Sequence, residues 1–242
     1  MLALLIALSP RVAFAEEYEC LIEPFVDSRV SSGVPGVIES IEVKRGDRVK
    51  KGQVLARLKS GVEQAAYDLA KARSEFATRR LARNEDLVEE QLISSNEKDE
   101  IETEELLSKL ELREAREILR LRTIRSPIDG VVAEVTASPG EHVASDEIIR
   151  ISQLDPLNVE VVLPVAIHGL IHREMTAKVR PEAPFDEVRS AKVVIVDRVI
   201  DAASGTFGVR LELSNSDLRL PAGLKCSVEF DGSETIARET AN

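Results

Sequence analysis

Apolar positions in this chain follow two periods, and the change of period divides it. From Val34 to Leu58, Ile41 and Val43 alternate with charged partners, as in half-buried strands. Lys44-Arg45-Gly46-Asp47 and Lys51-Gly52 read as turns, because Gly supplies a positive φ and Asp tolerates turn geometry. From Val62 the spacing becomes three and four. Val62, Ala65, Leu69, Ala72 and Phe76 form a helical stripe, and Ala70, Ala77, Leu81 and Val88 a narrower second one. Ser94-Ser95-Asn96 interrupts the pattern and can cap a new helix, whose N-terminus suits Glu97, Asp99 and Glu100. That helix carries Ile101, Leu107, Leu110, Leu112, Ala115, Ile118, Leu119 and Leu121, with Arg116, Arg120 and Arg122 near its C-terminal end. A short tip makes the two arms antiparallel, each about 40 Å long. Pro127 biases Ser126 away from helix and returns the chain to strands.

The strand pattern before the helices recurs after them. Gly36-Val-Ile through Leu58 aligns with Gly130-Val-Val through Ser152. Gly36 meets Gly130, Ile38 meets Val132, Gly46 meets Gly140 and Val49 meets Val143. Neither copy can bury a core alone, so each needs the other. The reading is one small β-domain split into residues 28–60 and 124–153, with a helical hairpin over 61–123 inserted at its break. Gly36, Gly46, Gly52, Gly130 and Gly140 are its expected turn glycines. Beyond Asp155-Pro156-Leu157 the strands Val193–Val199, Phe207–Leu213 and Cys226–Phe230, separated by Gly- and Pro-containing turns, predict a small β-barrel over 155–231. A short helix is expected within Pro164–Met175, and residues 232–242 form a tail.

Composition narrows the chemistry. A formal net charge of −11 argues against a nucleic-acid partner, and 3% aromatic residues leave few stacking faces. Residues 1–15 read as an export signal: Leu2–Leu8 is apolar and Ala13-Phe14-Ala15 is a small-x-small cleavage site. The run is too short to span a bilayer. In an exported protein Cys20 and Cys226 either pair or remain free thiols, and spacing does not decide between them. His168 and His172 stand at i and i+4 with Glu174 nearby, which a metal could exploit; a short polar helix is the simpler account. No nucleophile motif, phosphate loop or dinucleotide fingerprint is present, so no enzyme activity is expected.

The half-motif Gly36-Val-Ile … Arg45-Gly-Asp-Arg-Val-Lys-Lys-Gly-Gln-Val-Leu55 resembles the lipoyl or biotinyl carrier fold, and Ser126-Pro-Ile-Asp-Gly-Val-Val132 resembles its other half. A carrier presents one modifiable Lys at the hairpin joining the halves. Here Lys59 lies near the break without the flanking pattern, so no lipoyl or biotin cofactor is expected. A split carrier fold with a helical hairpin at its break is similar to the membrane fusion proteins. These are HlyD-like periplasmic adaptors, above all those of resistance-nodulation-division (RND) efflux pumps. Asp155-Pro-Leu-Asn-Val159 and Leu220-Pro-Ala-Gly-Leu224 resemble strands and a turn of that family's barrel.

The resemblance implies a periplasmic location, an inner-membrane RND-type transporter and a TolC-like outer-membrane channel as partners, and a homo-oligomeric ring of six subunits. Arg83, Leu87 and Ser94 match its Arg-x3-Leu-x6-Ser docking spacing at the hairpin tip. Arg83 and Leu87 share a helix face, with a planar fork of donors beside an apolar contact. Pairing with an ABC-type exporter is the alternative within the same architecture, and a carrier protein the more distant one. About a dozen residues follow Phe230, too few for the membrane-proximal domain many members carry, which implies a short form or a cut chain.

Overall fold

The computed structural model describes residues 17–89, 94–185 and 187–231. The export leader expected over 1–15 and the tail over 232–242 lie outside the described residues. The chain forms two compact units, one continuous and one discontinuous. One comprises 28–151; the other joins 1–27 to 152–242.

The 28–151 unit contains β2 (Gly36–Ile41), β3 (Arg48–Val49), β4 (Val54–Leu58), α1 (Gly61–Glu89), α2 (Ser95–Arg120), β5 (Thr123–Arg125), β6 (Gly130–Val135) and β7 (His142–Val143). It also takes the C-terminal end of β1 (Tyr18–Ser31) and the N-terminal end of β8 (Glu147–Pro164). The two sequence copies interlock reciprocally. Gly36 pairs with Val143 and Val49 with Gly130, so the first strand of each copy pairs with the second strand of the other. The turns repeat the exchange: Gly46 N–H donates to Val132 O (2.9 Å) and Gly140 N–H to Ile38 O (2.8 Å). Val132 N–H donates to Asp47 O, and Ile38 N–H to Glu141 O. Even the turn side chains match, since Asp47 accepts from Lys44 N–H and Glu141 from Ser138 N–H. The shared core draws equivalent residues from both copies: Ile38 and Val132, Val43 and Ala137, Val49 and Val143, Leu55 and Ile149. Each such aliphatic side chain contributes about 1.5–3 kcal/mol on burial, available only when the halves meet.

Gly46, Gly52 and Gly140 have φ of 91°, 84° and 91°, the left-handed region that disfavours other residues. Gly36 and Gly130 are not turn glycines; they open strands β2 and β6. At Gly36 the constraint is space. A Cβ there would lie 2.8 Å from Arg122 Nη1 and 3.1 Å from Leu58 Cδ1.

The second unit contains a six-stranded barrel. β9 (Thr176–Pro181), β10 (Arg189–Val196), β11 (Thr206–Leu213) and β12 (Lys225–Phe230) join β1 and β8 in the order β1-β12-β9-β10-β11-β8, and a β1–β8 pairing closes it. Strict alternation fills the interior: Leu157, Val159, Val161 and Leu163 on β8 and Phe207, Val209, Leu211 and Leu213 on β11 are buried. The barrel therefore begins earlier than residue 155. Tyr18–Leu21 pair with Lys225–Val228, and Cys20 and Ile22 belong to the barrel core. Two inward residues followed by Pro24 are too short a signal to separate from a leader. Cys20 and Cys226 face each other across β1 and β12 with Cα atoms 4.8 Å apart and form a disulfide.

Strand β10 ends at Val196, and the expected helix near Pro164–Met175 is only a 3-10 turn at Val165–Ile167. His168 and His172 gather no third potential metal ligand among the described residues. His168 Nε2 lies 2.9 Å from Asp197 O and its ring meets Phe207 edge-on, while His172 N–H points to Met175 Sδ.

Candidate functional site: the helical hairpin

α1 has 29 residues and α2 has 26, so the arms reach roughly 40 Å. They meet along an alternating four-three seam: Glu63, Tyr67, Ala70, Ser74, Ala77 and Leu81 on α1 against Ile101, Glu105, Ser108, Leu112, Ala115 and Leu119 on α2. This is the spacing of a two-stranded coiled coil, with small residues at Ala70, Ser74 and Ala77 on α1 and Ser108 and Ala115 on α2. The polar members are accommodated: Ser108 Oγ donates to Glu105 O (2.8 Å), Thr78 Oγ1 donates to Glu105 Oε1 (3.2 Å), and Lys109 pairs with Glu105.

The seam corrects the apparent strength of the two stripes. The broader one faces outward, with Val62 79%, Leu69 56% and Phe76 51% exposed, while the narrower Ala70–Ala77–Leu81 stripe packs against α2. Small residues allow close helix approach, which bulky ones at the same positions would prevent. A groove of about 890 Å³ follows one face of the hairpin. Phe76 and Leu107 line it, and the ion pairs Arg73–Glu111 and Arg80–Glu104 flank them.

At the tip, Arg83 is exposed and forms no ion pair among the described residues. Ser94 is the N-cap of α2: its Oγ accepts from Glu97 N–H at 3.2 Å. Leu87 falls within α1, but its side chain, like residues 90–93, lies outside the described residues. The cap alone accounts for a Ser at position 94.

The root was not read from sequence. β4 and β5 pair antiparallel, Ala56 with Ile124 and Arg57 with Thr123, and feed the two arms side by side. Arg122, expected only to complement the helix dipole, spans the junction. Its Nη1 donates to Pro35 O (2.9 Å) and its Nη2 to Glu63 Oε1 (2.6 Å) in the first turn of α1. Both side chains of that pair are largely buried, 20% and 16% exposed, unlike the ion pairs farther along the arms. Its Nε is buried without a protein partner. Lys59, the one candidate for modification, is exposed just before α1, and its N–H donates to Val37 O.

The described residues hold no cluster of three or more potential metal ligands, and no described helix is long and apolar enough to cross a membrane. A β-domain split by a coiled-coil hairpin and coupled to a six-stranded barrel defines the adaptor class of envelope proteins. The family model for the CzcB-like barrel-sandwich hybrid domain matches residues 27–153, and that for the CusB-like β-barrel domain matches 156–234. The chain belongs to the membrane fusion protein family of periplasmic efflux adaptors.

Among its relatives, the multidrug/solvent efflux pump periplasmic linker protein MepA of Pseudomonas putida is 30% identical over 215 residues, covering 81% of this chain and 56% of MepA. The multidrug resistance protein MdtA of Escherichia coli is 29% identical over 211 residues, covering 78% of this chain and 51% of MdtA. The chain thus spans about half the length of the curated relatives it matches. A crystal structure of a MacA-MexA chimera containing the Pseudomonas aeruginosa MexA α-hairpin domain shares the fold. Its TM-score is 0.77 at 24% identity, over 89% of this chain and 78% of the chimera.

Proposed function

We propose that this protein is the periplasmic adaptor of an efflux assembly, linking an inner-membrane RND-type transporter to a TolC-like outer-membrane channel. The observation that carries the reading is the exposed two-helix hairpin inserted at the break of an interlocked β-domain. A solvated arm of this length has no catalytic use and suits reach. Six copies in a ring set their β-domains around a conduit, and the hairpin tips meet the channel through Arg83, Leu87 and Ser94. Weak contacts at each tip suffice, because tethered contacts act together. The work is sealing and positioning, with no covalent chemistry. The Cys20–Cys226 disulfide supports a periplasmic setting, since such bonds persist in oxidising compartments. Relatives described as efflux pump periplasmic linkers support the adaptor role; an RND-type transporter rather than an ABC-type exporter is part of the proposal.

Arg83→Asp tests the tip. Arg83 is exposed and unpaired among the described residues, so the substitution leaves thermal stability unchanged and abolishes export of a fluorescent efflux substrate from cells. Wild-type export by a folded Arg83→Asp protein refutes docking through this tip.

A further inference from the structure

We propose that Arg122 is a positioning residue that fixes the lean of the hairpin on its β-domain, and that residue 36 is Gly to leave room for that guanidinium. The inference rests on the adaptor reading only for its functional consequence; the geometry stands alone.

Each arm joins the β-domain through a single extended strand, β4 for α1 and β5 for α2. Such a junction resists separation of the arms but bends easily about an axis across the two strands. The backbone bonds at the root, Leu58 N–H to Arg122 O (2.8 Å) and Lys59 N–H to Val37 O (2.9 Å), lie below the first helical turns. Above them, the Arg122 side chain connects an arm to the body. The guanidinium holds α1 through Glu63 and the β-domain through the Pro35 carbonyl, while its own backbone continues from α2. Glu63, Pro35 and Arg122 come from three separate stretches, so the three-way tie is lost if any one moves. Arg suits this role because its planar fork reaches two acceptors at once, which a Lys ammonium on a flexible stem does not hold in fixed geometry.

Gly36 is the negative imprint of the same arrangement. A Cβ built there would stand 2.8 Å from Nη1. The nearest atom it meets is the far end of a flexible side chain, so Gly36→Ala displaces the guanidinium from Pro35 O, while the Leu58 side chain, 3.1 Å away at Cδ1, gives by a few tenths of an ångström. The lean can thus be released by two unrelated substitutions, one deleting the tie and one pushing it aside.

The experiment uses the full chain with its native disulfide formed and nitroxide labels on Ala82→Cys in the hairpin and Glu39→Cys in β2, both exposed. Pulsed electron–electron resonance then reads the distance distribution between them. Wild type gives one narrow distribution. Arg122→Ala and Gly36→Ala each give about a doubling of its width, the signature of a released hinge. Arg122→Lys lies between. Arg80→Ala, which removes the Arg80–Glu104 pair farther along the arm, leaves the width unchanged. Unchanged widths in Gly36→Ala and Arg122→Ala overturn the proposal, as does equal broadening in Arg80→Ala. If Arg122→Ala does not fold by circular dichroism, Gly36→Ala decides alone. Export in cells separates the two readings: broadened distributions with undiminished export sustain the clamp and refute the role given to the hairpin's aim.

Discussion

Asn215→Ala removes a side chain that is fully enclosed, 0% exposed, and that fastens the loop before β12 to the β8 segment. Its Nδ2 donates to Leu154 O and Leu220 O, both at 2.9 Å, and its Oδ1 accepts from Leu220 N–H at 3.1 Å. Truncation leaves two carbonyls and one amide without partners inside the barrel. A buried orphan costs about 1–3 kcal/mol, and a water entering the vacated space recovers part of that, so the expected loss is about 3 kcal/mol. For a unit of this size that lowers Tm by roughly 10 °C or more.

Asn215→Asp keeps the acceptor for Leu220 N–H but turns a carboxylate oxygen toward the two carbonyls. It is therefore more damaging than Ala, although it is closer in shape. Differential scanning calorimetry, with urea titration as a second measure, gives both values. A loss below about 0.5 kcal/mol for Asn215→Ala, the range of ordinary surface changes, refutes the reasoning. So does an Asp variant more stable than the Ala variant.

The interlocked halves predict that Gly46→Val and Gly140→Val cost alike. Nothing stands within 4 Å of a Cβ at either position, so the loss is the left-handed strain alone, about 1–2 kcal/mol by denaturant titration and not global unfolding. On the hairpin, Ala77→Leu overpacks the seam and costs about 1–3 kcal/mol, whereas Phe76→Ser on the exposed stripe changes chain stability by less than about 0.5 kcal/mol. The bidentate hydrogen bonds from Arg189 hold the Asp217 carboxyl below its usual range, with a further bond from Arg219 N–H. A depressed folded pKa gives stability that is present above about pH 4 and lost as pH falls below it, so the wild-type melting temperature drops there more steeply than that of Asp217→Asn.

What could be read from the residues alone was whatever a local period encodes. The Gly36–Leu58 pattern and its return from Gly130 announced two dependent halves, because their spacing and turn residues repeat. The hairpin was legible from the change of period at Val62. Which helix face would be buried was not legible. Hydrophobicity favours the Val62–Leu69–Phe76 stripe, yet the partner helix selects the small Ala70–Ser74–Ala77 face, a decision made by steric fit. The Arg122–Glu63–Pro35 tie was equally hidden, since its members are distant in sequence and ordinary in composition. Gly36 looked like a turn because glycine usually is one; only the guanidinium beside it shows why it is there. The first barrel strand was missed because its buried residues, Cys20 and Ile22, are too few to make a pattern.

That strand gives the molecule a nested order of assembly. α1 and α2 are joined by a short tip and can zip as soon as both have been made. The β-domain around them is complete once Ile151 has emerged, whereas Tyr18–Leu21, made long before, wait for Lys225–Val228 at the far end of the chain. The barrel is thus the last part to close, and an early strand edge stays open until then, which is the moment at which a chaperone has something to hold.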